Sequence, residues 1–198
     1  MKLVIDHLTR YGYDEEVKFS TQYLRLTPRS TGRQTITAWT LTLPDGAAVT
    51  TTDGWGNVLH VLTLDNPHKE ITIRASGIVD IADEGEETRD EEAELLSPLV
   101  FLRSTPLTRA DTAIREFAQR LYRPDAAEES LNQLMADLLL RMPYSPGATQ
   151  VQDSAADAFA RAKGVCQDHT HVFLACCRAL EIPARYVSGY VYSDNAQH

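Results

Sequence analysis

The chain has 198 residues, with 19 Lys and Arg against 28 Asp and Glu, a formal charge of −9 and a pI near 5.1. Nonspecific nucleic-acid binding runs on Lys and Arg neutralising phosphates, so this balance argues against a nucleic-acid partner. Hydrophobic residues at 43% against 24% charged exclude bulk disorder and allow a sizeable core, in one large domain or two small ones. The opening Met1-Lys2-Leu3-Val4-Ile5-Asp6-His7 has too short an apolar run for a signal peptide. No later stretch approaches the roughly 20 apolar residues of a membrane helix, so a soluble, cytoplasmic chain is expected, with no membrane partner.

Residues 1–82 read as an all-β unit, expected to be a β-sandwich. Alternation runs through Gln22-Tyr23-Leu24-Arg25-Leu26, Thr35 to Leu43 and Glu70 to Ala75, rich in Thr, Ile and aromatic side chains suited to strands. Pro44-Asp45-Gly46 and Asp53-Gly54-Trp55-Gly56-Asn57 punctuate these runs at spacings expected of hairpins. His7, His60 and His68 lack partner cysteines or regular spacing and are expected to make local hydrogen bonds rather than bind metal.

The charge is not spread evenly. Residues 83–94 hold eight acids against Arg89, a sum of −7. Like charges at this density repel and nothing here can anchor a core, so this segment is expected to be a linker or exposed loop and the boundary between domains; attraction of a basic partner is the other reading.

Residues 95–198 change to helical periodicity. Thr108 to Asp111 resembles a capping sequence ahead of Ile114, Phe117, Ala118, Leu121 and Tyr122, and Pro124 stops that element. A second helix is expected from Ala127 to Met142, with Leu131, Leu134, Met135, Leu138 and Met142 on its apolar face. Ser154 to Lys163 reads as a short helix that Gly164 is placed to end.

Gly164-Val165-Cys166-Gln167-Asp168 then opens another helix, running until Pro183. Cys166 sits at its N-terminus, where unpaired backbone N–H groups and the positive end of the helix dipole favour thiolate over thiol and could hold a developing oxyanion. Cys176 and Cys177 lie inside the helix on apolar faces and are expected to be inert. A Cys166–Cys176 disulfide is ruled out, since ten residues of helix span about 15 Å against the roughly 6 Å of a bridge. Three readings of Cys166 stay open on the residues alone: a structural cysteine, a metal ligand with His169, or a catalytic thiol. The metal reading lacks a second Cys or His pair.

The run from Gly164 to His171, followed by Cys177-Arg178-Ala179-Leu180 and Ile182 to Tyr190, resembles the core motif of the bacterial transglutaminase-like superfamily. His7 to Tyr13, Leu24 to Arg29 and Asp53 to Asn57 are similar to the β-rich domain preceding that core. The resemblance implies an α+β protein, an N-terminal β-sandwich followed by a papain-like transglutaminase core. It also implies thiol-dependent chemistry on a protein or peptide amide through a cysteine acyl-enzyme. Cys166 would be the nucleophile and hydrolysis the favoured outcome over acyl transfer to an amine. The sequence holds neither an EF-hand calcium loop nor a phosphate-binding Gly motif, so no cofactor and no metal are expected.

The family's histidine stands in a His-Ala-Trp sequence and its acid in Asp-Pro-Thr, whereas this sequence closes at Asp194-Asn195-Ala196-Gln197-His198. His198 is the candidate general base, the alternative being a loop histidine just ahead of the true base; no residue matches the acid. The expectation is therefore a core that is C-terminally truncated, part of a longer chain. The competing function is a non-catalytic scaffold that binds peptides or partner proteins.

Overall fold

The computed structural model describes residues 1–82 and 96–192, so the acidic segment 83–94 and His198 fall outside the described residues. The chain divides into two units, Met1–Leu96 and Ser97–His198. Together they are α+β, strands in the first and helices in the second.

Among the described residues the first unit holds six strands, β1 Lys2–Val17, β2 Ser20–Thr27, β3 Gln34–Thr42, β4 Ala47–Thr52, β5 Val58–Leu64 and β6 His68–Ile81. They form two antiparallel three-stranded sheets, ordered β1-β6-β3 and β2-β5-β4. Alternating side chains meet between them: Leu24, Leu62 and Leu64 from one sheet cluster with Ile71 and Ile73 from the other. Trp39 Nε1 on β3 donates to Leu26 O on β2 at 3.0 Å, a polar tie across the same gap.

The two turn signals have different outcomes. Asp53 to Asn57 closes the β4–β5 hairpin, with the Asp53 carboxylate accepting from the backbone N–H groups of Trp55 (2.9 Å) and Asn57 (3.0 Å) and from Arg25 Nε (2.6 Å). Those donors, Arg25 first, hold the Asp53 carboxyl well below the usual carboxylate range. Pro44-Asp45-Gly46 makes no hairpin, because β3 pairs with β6 and β4 with β5; it carries the chain from one sheet to the other. A Cβ on Gly46 would lie 2.7 Å from Thr63 O and Leu64 Cδ2, so that crossing needs glycine. His60 bonds Thr27 and Thr50, and His68 bonds Ser20 and Asn66 O, which accounts for both rings locally.

The second unit packs α1 Thr112–Leu121, α2 Ala127–Arg141, α3 Ala155–Arg161 and α4 Cys166–Ala179 around one core. Ile114, Phe117 and Ala118 of α1, Leu134 and Leu138 of α2, and Ala158 and Phe159 of α3 close on Val172, Ala175 and Cys176 of α4. Burial of these side chains, at about 25 cal/mol per Å² of apolar surface, is what holds the helices together.

The true cap of α1 is Asp111, whose side chain accepts from Ile114 N at 2.8 Å; Thr108 instead bonds Thr105 in a 3-10 turn, Pro106–Thr108. On α2 the buried stripe is Ser130, Leu134, Leu138 and Met142, and Met135 is 44% exposed, so the inward face is rotated from the one expected. The α3 helix ends on Ala162 in the left-handed region (φ 53°), two residues before Gly164. Tyr186 to Tyr192, strand-like in sequence, lies in no strand ladder among the described residues, and Val187 and Val191 are exposed.

Candidate active site

The entry to α4 is built from three constraints. First, Gly164 forms a parallel bridge with Tyr144, with Ser145 N donating to Gly164 O at 2.8 Å, so the chain before the helix is tied to the segment following α2. Second, Asp168 turns back over this segment. It is 2% exposed, and its Oδ2 accepts from Val165 N (2.8 Å) and from Thr149 Oγ1 (2.6 Å). A carboxylate accepting an otherwise unpaired N–H in the first turn satisfies both the backbone and the helix dipole. Third, Gly164 is the only residue type that fits beneath it: an added Cβ would stand 2.7 Å from Asp168 Cβ and 2.8 Å from Oδ2. Gly164 therefore permits close approach here rather than stopping α3.

Cys166 is the first residue of α4 and is exposed. Its neighbours are committed elsewhere: Gln167 Nε2 donates to Val151 O (3.2 Å), Thr170 Oγ1 donates to Cys166 O (2.8 Å), and His169 Nε2 donates to Met142 O (2.6 Å). His169 is thus a brace between α4 and the end of α2. The other two thiols differ in kind. Cys176 and Cys177 are 0% and 2% exposed, and burial pushes their pKa up to about 12 and about 11, against an ordinary 9.0. One helix thus carries one accessible thiol and two that burial keeps protonated.

His171 lies one turn further along, 8% exposed, with its Nδ1 lacking a hydrogen-bond partner and its ring 5.9 Å from that of Tyr186. Burial pushes its pKa below 6.5; Asp168 opposes that and Arg178 adds to it. Among the described residues no three His, Cys, Asp or Glu side chains converge as a metal-binding group. The sequence-predicted pair is therefore only half placed: Cys166 is exposed at the helix start, and His198 lies outside the described residues.

Arg178 was not singled out by sequence reasoning, yet it ties the far end of α4 to its surroundings. Its Nε donates to Phe101 O (3.0 Å), Nη1 to Thr108 Oγ1 (2.6 Å) and Nη2 to Ala184 O (2.9 Å). An arginine between apolar helical residues, just before a helix stop, was the available signal. Beyond it the chain leaves by a Schellman turn: Glu181 N donates to Arg178 O (3.2 Å) and Ile182 N to Cys177 O (2.9 Å), with Glu181 at φ 60°. Arg178 thus fixes where the post-helical segment departs.

Two family models match this chain. Residues 3–80 match the bacterial transglutaminase-like N-terminal region, and residues 115–198 match the transglutaminase-like superfamily. Among curated proteins, uncharacterized protein ML0607 of Mycobacterium leprae is 31% identical over 96% of this chain and 71% of its own length. Uncharacterized protein Rv2569c of Mycobacterium tuberculosis is 30% identical over 96% of this chain and 66% of its length. A crystal structure described as "a Putative Cysteine Protease from Cytophaga hutchinsonii" superposes with a TM-score of 0.73 at 21% identity, covering 92% of this chain and 65% of that one. The chain therefore spans about two thirds of the length of the proteins it resembles.

Proposed function

This chain belongs to the transglutaminase-like superfamily, and we propose that it carries the nucleophile of a thiol-dependent enzyme acting on protein or peptide amides, with hydrolysis as the outcome. The observation that carries the reading is the contrast along α4: Cys166 is exposed at the first turn while Cys176 and Cys177 are sealed in the core. No described helix is long and apolar enough to cross a bilayer.

In the proposed reaction the Cys166 thiolate attacks the amide carbonyl carbon. The C–N bond breaks as the S–C bond of the acyl-enzyme forms, and the departing amine takes the proton the thiol gave up. Water then adds to the thioester carbonyl, the S–C bond breaks, and the acid leaves as Cys166 recovers its proton. His198 is proposed as the base that carries these protons. Cys166 opens α4, and unpaired backbone N–H groups of a helix's first turn are suited to the oxyanion of each tetrahedral intermediate. The brace of Gly164, Asp168 and Thr149 supplies the rigidity that such positioning demands.

Substitution Cys166→Ala tests the reading: turnover of an amide or ester substrate is abolished, while the helical circular dichroism spectrum is retained. Full activity in that variant would reject the nucleophile, and no turnover in the parent across a peptide panel would favour a peptide-binding scaffold.

A further inference from the structure

The loop between α2 and α3, with the last residue of α3, forms an open groove of about 310 Å³, lined by Gly147, Ala148, Thr149, Gln150, Asp153 and Arg161. It is coupled directly to the start of α4: Thr149 bonds Asp168 and Val151 O accepts from Gln167, the two residues that follow Cys166.

The hydrogen-bond inventory of the groove is lopsided. Asp153 Oδ2 accepts from Arg161 Nη1 and from Gln150 N (2.8 Å), and its Oδ1 accepts from Arg161 Nη2 at 3.2 Å. Gln150 Oε1 accepts from Gln152 Nε2 at 2.5 Å. Each side-chain oxygen of Asp153 and Gln150 holds a donor, while side-chain donors are left over: a guanidinium has five N–H groups, of which two are used here, and the Gln150 amide N–H₂ makes no bond to a described residue. Arg161 is 42% exposed, so its remaining N–H groups are open to a ligand.

Charge narrows the class of ligand. Arg161 is the one guanidinium facing three carboxylates, Asp153, Asp157 and Asp168, so the local field is negative although the free hydrogen-bonding groups are donors. A ligand that accepts hydrogen bonds without bringing negative charge satisfies both conditions; a carboxylate satisfies only the first.

We propose that this groove is a specificity subsite for the acyl part of the substrate, in which Arg161 and Gln150 donate to a neutral carbonyl or amide oxygen while the surrounding carboxylates turn acidic substrates away. The assignment rests on Cys166 being the nucleophile. Arg161 and Gln150 are the specificity residues, and Asp153 is a positioning residue that aims the guanidinium.

The test uses two electrophilic probes of nearly the same shape, N-chloroacetyl-asparagine amide and N-chloroacetyl-aspartic acid amide. Each alkylates a thiolate by forming an S–C bond as chloride leaves. Labelling of Cys166 is read by peptide mass spectrometry, relative to iodoacetamide on the same variant and to both probes on free glutathione. The parent protein is expected to prefer the neutral probe about 3- to 10-fold, because the surrounding carboxylates repel the acidic one. Arg161→Met is expected to cut labelling by the neutral probe, relative to iodoacetamide, about 3- to 10-fold, the weight of one or two such hydrogen bonds, Arg161→Lys to keep part of it, and Asp153→Asn to shift labelling toward the carboxylate probe. Neutral-probe labelling that keeps its parent ratio to iodoacetamide in Arg161→Met overturns the subsite alone. Failure of iodoacetamide to label Cys166 in the parent overturns the nucleophile, and the subsite with it.

Discussion

Gly164→Ala is the sharpest perturbation of the site that leaves every reacting group in place. The new methyl would stand 2.7 Å from Asp168 Cβ, 2.8 Å from Oδ2 and 3.0 Å from Cγ, inside the closest approach of real atoms. Asp168 is 2% exposed and has no solvent to retreat into, so its carboxylate must leave Val165 N, Thr149 Oγ1 or both. Each hydrogen bond to an ionised acceptor is worth about 1.5–3 kcal/mol, and partial relaxation returns some of that, so a loss of about 2–4 kcal/mol is expected. For a unit of this size that corresponds to a fall in Tm on the order of 10–20 °C.

The described α-helices all lie in the second unit, so thermal or urea unfolding followed by helical circular dichroism reports on it. Gly189→Ala is the control, since nothing lies within 4 Å of its added Cβ; its effect should stay within about 0.5 kcal/mol. If the damage runs through Asp168, the same glycine substitution in an Asp168→Ala background should cost distinctly less. Gly164→Ala within about 0.5 kcal/mol of the parent would refute the argument that this glycine is a steric requirement of the nucleophile's helix.

Two further consequences concern the same helix. Glu181 holds φ 60° at the turn that closes α4, so Glu181→Gly should relieve left-handed strain and raise stability by about 1 kcal/mol, read as a higher urea midpoint; a lower midpoint would count against that assignment. His171 is held below its ordinary pKa chiefly by burial. The unfolded chain therefore binds a proton there before the folded one does, and the stabilisation is complete above about pH 6.5 and lost as pH falls below it. The urea midpoint should drop between about pH 7.5 and pH 5.5, and His171→Leu should flatten that drop; the same drop in the variant would remove His171 as its source. The groups facing the ring are Asp168 and Arg178 on its own helix and Tyr186 beyond it, and of these Asp168 works against the effect.

What could be seen in advance follows the range of the interactions involved. Strand alternation is a local property; it placed β2 and β3 to within two residues at each end and found the first half of β6. Their partners are not local, which is why Pro44-Asp45-Gly46 read as a hairpin and proved to be a crossing between sheets. Thr108 and Asp111 are both good capping residues three positions apart, and only packing decides that the helix starts after the second. Gly164 carries one sequence signal for two physical uses, left-handed turn and close approach, and the fold uses it for the latter. Tyr186 to Tyr192 has strand-forming side chains, yet a strand is defined by a neighbour, and no described residue supplies one. Cys166 at a helix start could be read from the sequence because glycine, capping carboxylate and apolar helix all lie within twelve residues of each other. The groove could not, because Thr149, Asp153 and Arg161 meet Asp168 and one another only through the folded loop.

The central claim is that Cys166 forms a covalent acyl intermediate. Acid-quenched reaction of the protein with p-nitrophenyl acetate, followed by peptide mass mapping, tests it most directly. A burst of nitrophenolate with acetyl mass on the Cys166 peptide, absent in Cys166→Ser and absent from the buried Cys176 and Cys177, is the predicted result. Acetylation confined to other residues, or an equal burst in Cys166→Ser, would contradict it.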